Sequence, residues 1–169
     1  LARRFAGRLL GDAARIERDD LSLEANRSVI AEREKWPSEK RSDDPLLFSS
    51  HPDFVTVCPE GPLRQISIQQ MRMVKERAPL RPLKGKWRVF LMDQFDRTSQ
   101  QAADSLLKTL EEPPSHLILV LTAANPYDLP PTIRSRSVMF QLSPLGEAEM
   151  REFARAKGLA DAERRIALA

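Results

Sequence analysis

Residues 87–122 read WRVFLMDQFDRTSQQAADSLLKTLEEPPSHLILVLT, and this stretch decides the expected fold. Residues 87–93 and 116–122 form two nearly continuous apolar runs of strand length, which is typical of parallel strands buried on both faces. The segment between them carries Ala and Leu residues at helical spacing and stops at Pro113 and Pro114. The order strand, helix, strand predicts a crossover unit of a parallel sheet.

The same patterns extend the prediction to both sides of this stretch. They predict strands at 54–58 and 137–142, helices at 2–10, 12–30 or 12–34, 66–77 and 147–157, and a mobile loop at 35–50. Thr98 and Gln101 match a capping box at the start of the central helix. We therefore expect a three-layer α/β domain with a parallel sheet over residues 1–143, followed by the start of a small helical unit over residues 144–169.

Composition excludes several classes of protein. The 169 residues are 41% apolar and 30% charged, as expected of a globular protein, and no apolar run is long enough to cross a bilayer. A lone cysteine, Cys58, and two distant histidines predict neither a disulfide nor a zinc site, and Cys58 itself is expected to be a buried thiol. The net charge of +3 is too small to indicate nucleic-acid binding by itself. The expected location is the cytoplasm.

The end of the run at residues 87–93 is the sharpest chemical signal. An aspartate that follows an apolar strand, here Asp93, is how P-loop NTPases hold Mg²⁺ beside a nucleotide phosphate, although such an aspartate is structural about as often as functional. The next position usually carries a glutamate that polarises water, but here it is Gln94, whose amide is a poor base. The phosphate-binding pattern G-x-x-x-x-G-K-[ST] does not occur in the 169 residues, so we expect any such loop to lie upstream of Leu1.

A second signal is the segment TIRSRS at residues 132–137, just before the third predicted strand. An arginine at such a loop–strand junction can reach a neighbouring subunit and stabilise charge on its γ-phosphate. Out of context, the commoner explanation is a surface arginine that pairs with a local acid.

Four motifs in order resemble the clamp-loader branch of the AAA+ family: Asp93-Gln94, the stretch SLLKTLEEPP at 105–114, LTAANP at 121–126, and the triplet Ser135-Arg136-Ser137. The stretch LLKTLEEPP is highly specific to bacterial clamp loaders, and the triplet is similar to their Ser-Arg-Cys motif. The segment HPDF at 51–54 is more similar to the delta-prime subunits of DNA polymerase III than to the ATPase subunits. The resemblance covers roughly residues 1–157 and is weakest over 11–50.

This resemblance implies roles for individual residues. Arg136 would be the arginine finger that acts in trans, with Ser135 and Ser137 beside it at the subunit interface. Asp93 and Gln94 would be a degenerate Walker B pair, and Ala124 falls at the sensor 1 position, where neighbouring Asn125 is a possible substitute. The zinc module of many relatives is missing, and the segment 35–50 takes its place.

The function implied is that of a non-hydrolysing stator of the clamp loader, which supports ATP-dependent loading of the sliding clamp. Its implied partners are an ATPase subunit that holds ATP and Mg²⁺, the delta subunit, primed DNA and, indirectly, the clamp. Two alternatives stay open at this point: a tau/gamma-like motor subunit or related AAA+ ATPase that hydrolyses ATP itself, and an α/β interaction domain whose motifs are coincidental.

Overall fold

The computed structural model describes residues 1–156 and contains a four-stranded sheet. The strands are β1 (Phe48–His51), β2 (Phe54–Val57), β3 (Arg88–Met92) and β4 (Leu117–Leu121), in the spatial order β1-β2-β3-β4. β1 is antiparallel to β2, whereas β2, β3 and β4 are parallel to one another. The mostly parallel sheet confirms the predicted α/β class.

Nine α-helices lie within residues 1–156: α1 (Ala2–Leu10), α2 (Ala13–Ile16), α3 (Glu24–Glu34), α4 (Ser38–Asp43), α5 (Ile68–Arg77), α6 (Gln100–Asp104), α7 (Leu107–Glu111), α8 (Pro131–Arg134) and α9 (Glu147–Ala156). α1 ends where Gly11 adopts a left-handed conformation with φ 72°, which glycine allows without steric cost. α5 begins at a capping box in which Ser67 and Gln70 each accept a hydrogen bond from the other's backbone N–H.

The described residues fall into two units. The first is Leu1–Ser137, and the second begins at Val138 and contains α9. The expected boundary between residues 143 and 144 stays a prediction. Lys157 and Gly158, which were expected to end the last helix, lie outside the described residues.

Apolar residues cover both faces of the sheet, which makes the first unit three-layered. On one face Val55, Phe90 and Met92 pack with residues of α5, α6 and α8, including Met71, Ala102 and Ile133. On the other face Phe54, Val89 and Leu91 pack with Ala6 of α1 and Ile16 of α2. Because successive residues of β3 point to opposite faces and all five are buried, the strand after Arg88 reads as a continuous apolar run in the sequence.

Asp53, the aspartate of the HPDF segment, holds a loop in place at the amino ends of the parallel strands. Asp53 is fully buried, and its two carboxylate oxygens accept hydrogen bonds from the backbone N–H groups of Leu83 (2.7 Å) and Lys84 (2.8 Å). The buried Arg88 guanidinium lies 3.5 Å from the same carboxylate. A carboxylate needs such partners when it is removed from water, so these contacts fix the chain between α5 and β3.

The predicted helix over residues 12–30 is wrong, because the chain turns at Asp20. The Asp20 carboxylate accepts hydrogen bonds from the backbone N–H and the hydroxyl of Ser22, a local turn that competes with the helix. The Asn26 side chain then donates to the backbone carbonyls of Arg18 and Asp20. As a result α2, a short 3₁₀ turn (Glu17–Asp19) and α3 replace one long helix.

The segment 35–50 is also more ordered than predicted, since it contains α4 and β1. Arg33 organises it from outside: this buried guanidinium donates to Glu60 (2.9 Å) and Asp44 (3.0 Å) and lies over the Trp36 ring. The buried Gln70 amide also donates to the Leu46 carbonyl at 2.9 Å. Apart from Trp36, these partners are distant in sequence, so a local pattern of Pro, Ser and charge does not reveal them.

Two further predictions are wrong. Ser99, and not Thr98, caps α6, because the Ser99 hydroxyl accepts a hydrogen bond from Ala102 N–H while Thr98 forms a β-bridge with Ile66. Residues 137–142 form no strand, and the apolar side chains of Val138 and Phe140 are more than four-fifths exposed. A strand needs a hydrogen-bonded neighbour, and residues 1–156 provide none for this segment.

β4 is the last strand of the sheet within residues 1–156 and pairs on one side with β3. Its five residues, Leu-Ile-Leu-Val-Leu, are all aliphatic, and four of them are only half-buried. Such a run is typical of a parallel strand that is covered on both faces.

Candidate functional site

Asp93 and Gln94 follow β3 directly, at the edge where the parallel strands end. The Asp93 carboxylate accepts a hydrogen bond from the Thr122 hydroxyl at 2.7 Å. The Thr122 oxygen in turn accepts from the backbone N–H of Gln94 at 2.9 Å. Thr122 follows β4, so this chain of hydrogen bonds connects the ends of two neighbouring strands and fixes the Asp93 carboxylate.

The backbone of Gln94 adopts a left-handed conformation, with φ 53° and ψ 52°. This conformation costs a non-glycine residue about 1 to 3 kcal/mol unless the surroundings hold it, and residues that keep it cluster at functional sites. Here the Thr122 contact holds the Gln94 N–H, and Phe95 N–H donates to the Thr122 carbonyl at 2.7 Å. The turn leaves the Gln94 side chain exposed, with a neutral amide where an ATPase needs a base.

An open cleft of about 600 Å³ lies beside this turn. Asp93, Gln94 and Cys58 line it from the strand ends, and Arg27 and Arg64 are the basic side chains in its wall. Ligands of open α/β sheets bind beyond the carboxyl ends of the strands, which is where this cleft lies. Burial raises the pKa of the Cys58 thiol to about 12, so this cysteine is not a nucleophile at neutral pH.

Thr122 is the functional candidate that the sequence patterns did not single out, whereas Asn125 and Ala124 were proposed for the adjacent sensor position. The Asn125 side chain caps the 3₁₀ turn Pro126–Asp128, because its oxygen accepts from Tyr127 N–H at 3.1 Å and its nitrogen donates to Asp128 at 3.2 Å. Thr122, and not Asn125, is therefore the residue hydrogen-bonded to Asp93. The signal in the sequence that could have identified Thr122 is a hydroxyl residue directly after β4, the strand that neighbours β3.

Arg136 lies on the surface of the first unit, just after α8, with 35% of its side chain exposed. Its Nε donates to the Glu111 carboxylate at 2.9 Å, and its Nη2 lies 2.6 Å from the same oxygen. Glu111 is the last residue of α7 and is itself 48% exposed. The guanidinium is thus presented outward and is paired with a surface carboxylate of the same unit.

The two serines of the triplet make local contacts. Ser135 Oγ donates to the Thr132 carbonyl at 3.1 Å and accepts from Arg136 Nη1 at 3.3 Å, while Ser137 Oγ donates to the Ile133 carbonyl at 2.8 Å. They close the end of α8 and so position the arginine between them. Their role at a subunit interface stays a prediction.

Neither a metal cluster nor a membrane span was found in the part of the chain that the structure describes. Within residues 1–156, no three His, Cys, Asp or Glu residues come together as ligands for a metal ion. Over the same residues, no helix combines the length and apolarity that crossing a membrane requires.

Comparison with known proteins gives a consistent family. A family model described as DNA polymerase III, delta subunit, matches residues 7–146. DNA polymerase III subunit gamma of Buchnera aphidicola (subsp. Schizaphis graminum) is 34% identical over 86 residues, which make up 51% of this chain and 24% of that protein. DNA polymerase III subunit tau of Escherichia coli K12 is 32% identical over 98 residues, 58% of this chain and 15% of that protein.

A solved structure agrees with these relatives. It is a DNA polymerase III gamma subunit-related protein from Thermotoga maritima, with a TM-score of 0.54 and 29% identity, and the match covers 73% of this chain and 36% of that one. The chain therefore spans a minor part of the length of each relative. Since the family model matches most of the chain and the fold agrees, the chain belongs to the AAA+ clamp-loader family of DNA polymerase III subunits.

Proposed function

We propose that this chain is part of a delta-prime-like stator, a clamp-loader subunit that does not hydrolyse ATP itself and supplies Arg136 to an adjacent ATPase subunit. In this role it supports ATP-dependent loading of the sliding clamp onto primed DNA. The observation that carries the proposal is the contrast between two places in one unit: an outward-facing arginine at 136, and no base at 94.

The chemistry at β3 disfavours hydrolysis by the chain's own site. Asp93 is a suitable Mg²⁺ ligand, but one of its oxygens already accepts a hydrogen bond from the Thr122 hydroxyl. At position 94 an amide can orient a water molecule but cannot take its proton at neutral pH. The isolated full-length subunit should therefore show no appreciable ATPase activity.

The chemistry at Arg136 favours action in trans. A guanidinium is always charged and offers a planar fork of N–H donors that matches phosphate oxygens. Arg136 is exposed, and its local contacts fix the side chain at the end of a helix. The ATP and Mg²⁺ that it would act on belong to the neighbouring ATPase subunit, and no zinc is needed. The delta subunit and, indirectly, the clamp complete the expected assembly.

The test is ATP hydrolysis by a clamp loader reconstituted from full-length subunits, with Arg136→Ala in this chain. Steady-state kcat should fall strongly, because arginine fingers contribute about 10³-fold or more in NTPases that use them. Arg136→Lys should fail to restore it, since lysine keeps the charge but loses the fork. Arg8→Ala, at an exposed position of α1, is the control and should hydrolyse normally. Unchanged hydrolysis with Arg136→Ala would refute the proposal.

A motor subunit is the second candidate, because the relatives matched by sequence bear the names gamma and tau. A motor subunit binds and hydrolyses ATP at its own site, with no base supplied by another chain. The two candidates differ in the isolated full-length subunit: turnover comparable to a working AAA+ ATPase, abolished by Asp93→Ala, would establish the motor and exclude the stator.

A further inference from the structure

We propose that Glu111 is a positioning residue for Arg136. It holds the side-on edge of the guanidinium, so that a phosphate of the neighbouring subunit binds at the end-on edge. This inference rests on the proposed function, since it assigns a partner to the arginine finger. It gives the LLKTLEEPP segment, whose last helical residue is Glu111, a direct connection to the finger.

The pair uses the side-on edge of the guanidinium. Nε and Nη2 lie 2.9 Å and 2.6 Å from a single carboxylate oxygen, Glu111 Oε1. Nε donates a hydrogen bond to this oxygen and Nη2 forms a close ionic contact with it, so one atom holds the edge that faces away from Cδ. The contact therefore fixes the rotation of the guanidinium plane as well as its position.

A second set of contacts holds Nη1. It donates to the Thr132 carbonyl at 3.0 Å and to Ser135 Oγ at 3.3 Å. These two acceptors are only 3.1 Å apart, because Ser135 Oγ itself donates to the Thr132 carbonyl. They therefore form one cluster of acceptors at Nη1.

The remaining edge is the end-on edge, which has one N–H from each terminal nitrogen. No acceptor in residues 1–156 contacts both terminal nitrogens from this side. Two parallel N–H groups match two oxygens of a phosphate, the bidentate arrangement that arginine favours. A phosphate that binds at this edge leaves the contact of Glu111 with Nε in place.

Positioning and competition predict opposite results. A freely rotating arginine loses conformational entropy when it binds, so a residue that fixes it in advance favours catalysis. A carboxylate that had to be displaced would oppose phosphate binding, and its removal would then increase activity. Positioning is favoured because Glu111 contacts Nε and Nη2 and does not contact Nη1.

The experiment measures ATP hydrolysis by the loader reconstituted from full-length subunits with Glu111→Ala in this chain. We expect kcat at saturating ATP to fall about fivefold, the factor that corresponds to an exposed ion pair. The KM for ATP, the assembly of the complex and its thermal unfolding midpoint should stay unchanged, which separates positioning from a structural role. Glu111→Gln keeps the accepting oxygen and should restore most of kcat. Combining Glu111→Ala with Arg136→Ala should cause no loss beyond Arg136→Ala alone.

Glu112→Ala is the matched control: the same change at the next position, on an exposed side chain outside the Arg136 contacts. If Arg136→Ala lowers kcat but Glu111→Ala equals Glu112→Ala, the positioning role is refuted and the proposed function stands. A rise in kcat with Glu111→Ala would also overturn it, in favour of competition. If Arg136→Ala itself has no effect, the proposed function fails and this inference with it.

Discussion

Replacing Asp53 with Asn tests how far one buried carboxylate stabilises the fold. Asn keeps a single accepting oxygen, so one of the two hydrogen bonds from Leu83 and Lys84 is lost and an amide N–H₂ then faces a backbone N–H. A hydrogen bond to a charged group contributes about 1.5 to 3 kcal/mol, and the buried Arg88 also loses its counter-ion. We expect the free energy of unfolding to fall by about 3 to 4 kcal/mol, near the range seen when one partner of a buried ion pair is removed.

Urea unfolding of the protein, followed by tryptophan fluorescence, measures this change, since Trp87 is adjacent to Arg88. Asp43→Asn is the control: the same substitution at an exposed position should change the free energy of unfolding by less than about 0.5 kcal/mol. Arg88→Met should cost less than Asp53→Asn, because the guanidinium is 3.5 Å from the carboxylate whereas the backbone donors are at 2.7 and 2.8 Å. A loss below about 1 kcal/mol for Asp53→Asn would refute the reasoning.

Three further outcomes follow from single residues. Cys58, with its pKa raised by burial from 9.0 to about 12, should react with iodoacetamide at pH 8 about 10³-fold more slowly than an unfolded control, and equal rates would contradict its burial. Thr122→Val should lower the free energy of unfolding by about 1 to 3 kcal/mol because it removes the hydrogen bond to Asp93. Thr56→Val is the control in the same urea assay. It should be neutral or stabilising, because the buried Thr56 hydroxyl has no partner within residues 1–156. Burial alone would raise the pKa of Asp20, but the hydrogen bonds from Ser22 and the charge of Arg3 outweigh it and lower the pKa below its ordinary 3.8. The resulting stabilisation of the fold should be present above pH 3.8 and lost as the pH falls through the lowered pKa. An Asp20→Asn variant whose stability depends on acid pH in the same way as that of the unchanged protein would contradict this.

The three parallel strands could be predicted because burial on both faces leaves a direct trace in the sequence, whereas β1 was not predicted. β4 and, after Arg88, β3 are continuous apolar runs, and the acid that follows β3 locates the edge where the site lies. Residues 137–142 leave a similar trace without forming a strand, since composition records a preference for β structure but not whether a neighbour is present. The central helix was predicted as one piece, but Ser105 donates to the Ala102 carbonyl at 2.6 Å and separates α6 from α7.

The candidate site was proposed from local features of the sequence, which do not reveal its contacts. Asp93, Gln94 and Arg136 were identified from strand ends and motifs, which are local features. The partners of the two charged residues, Thr122 and Glu111, are 29 and 25 residues away in sequence and were not identified. Such pairs depend on sheet register and on the packing of α7 beside α8, which no local pattern specifies.

The aliphatic edge of β4 has a practical consequence for handling the protein. A row of backbone N–H and C=O groups beside apolar side chains recruits any extended segment that approaches, from this molecule or from another. A preparation limited to residues 1–156 should therefore self-associate as its concentration rises. A lysine introduced at the partly buried Val120 would place a charge on this strand and so disfavour such pairing.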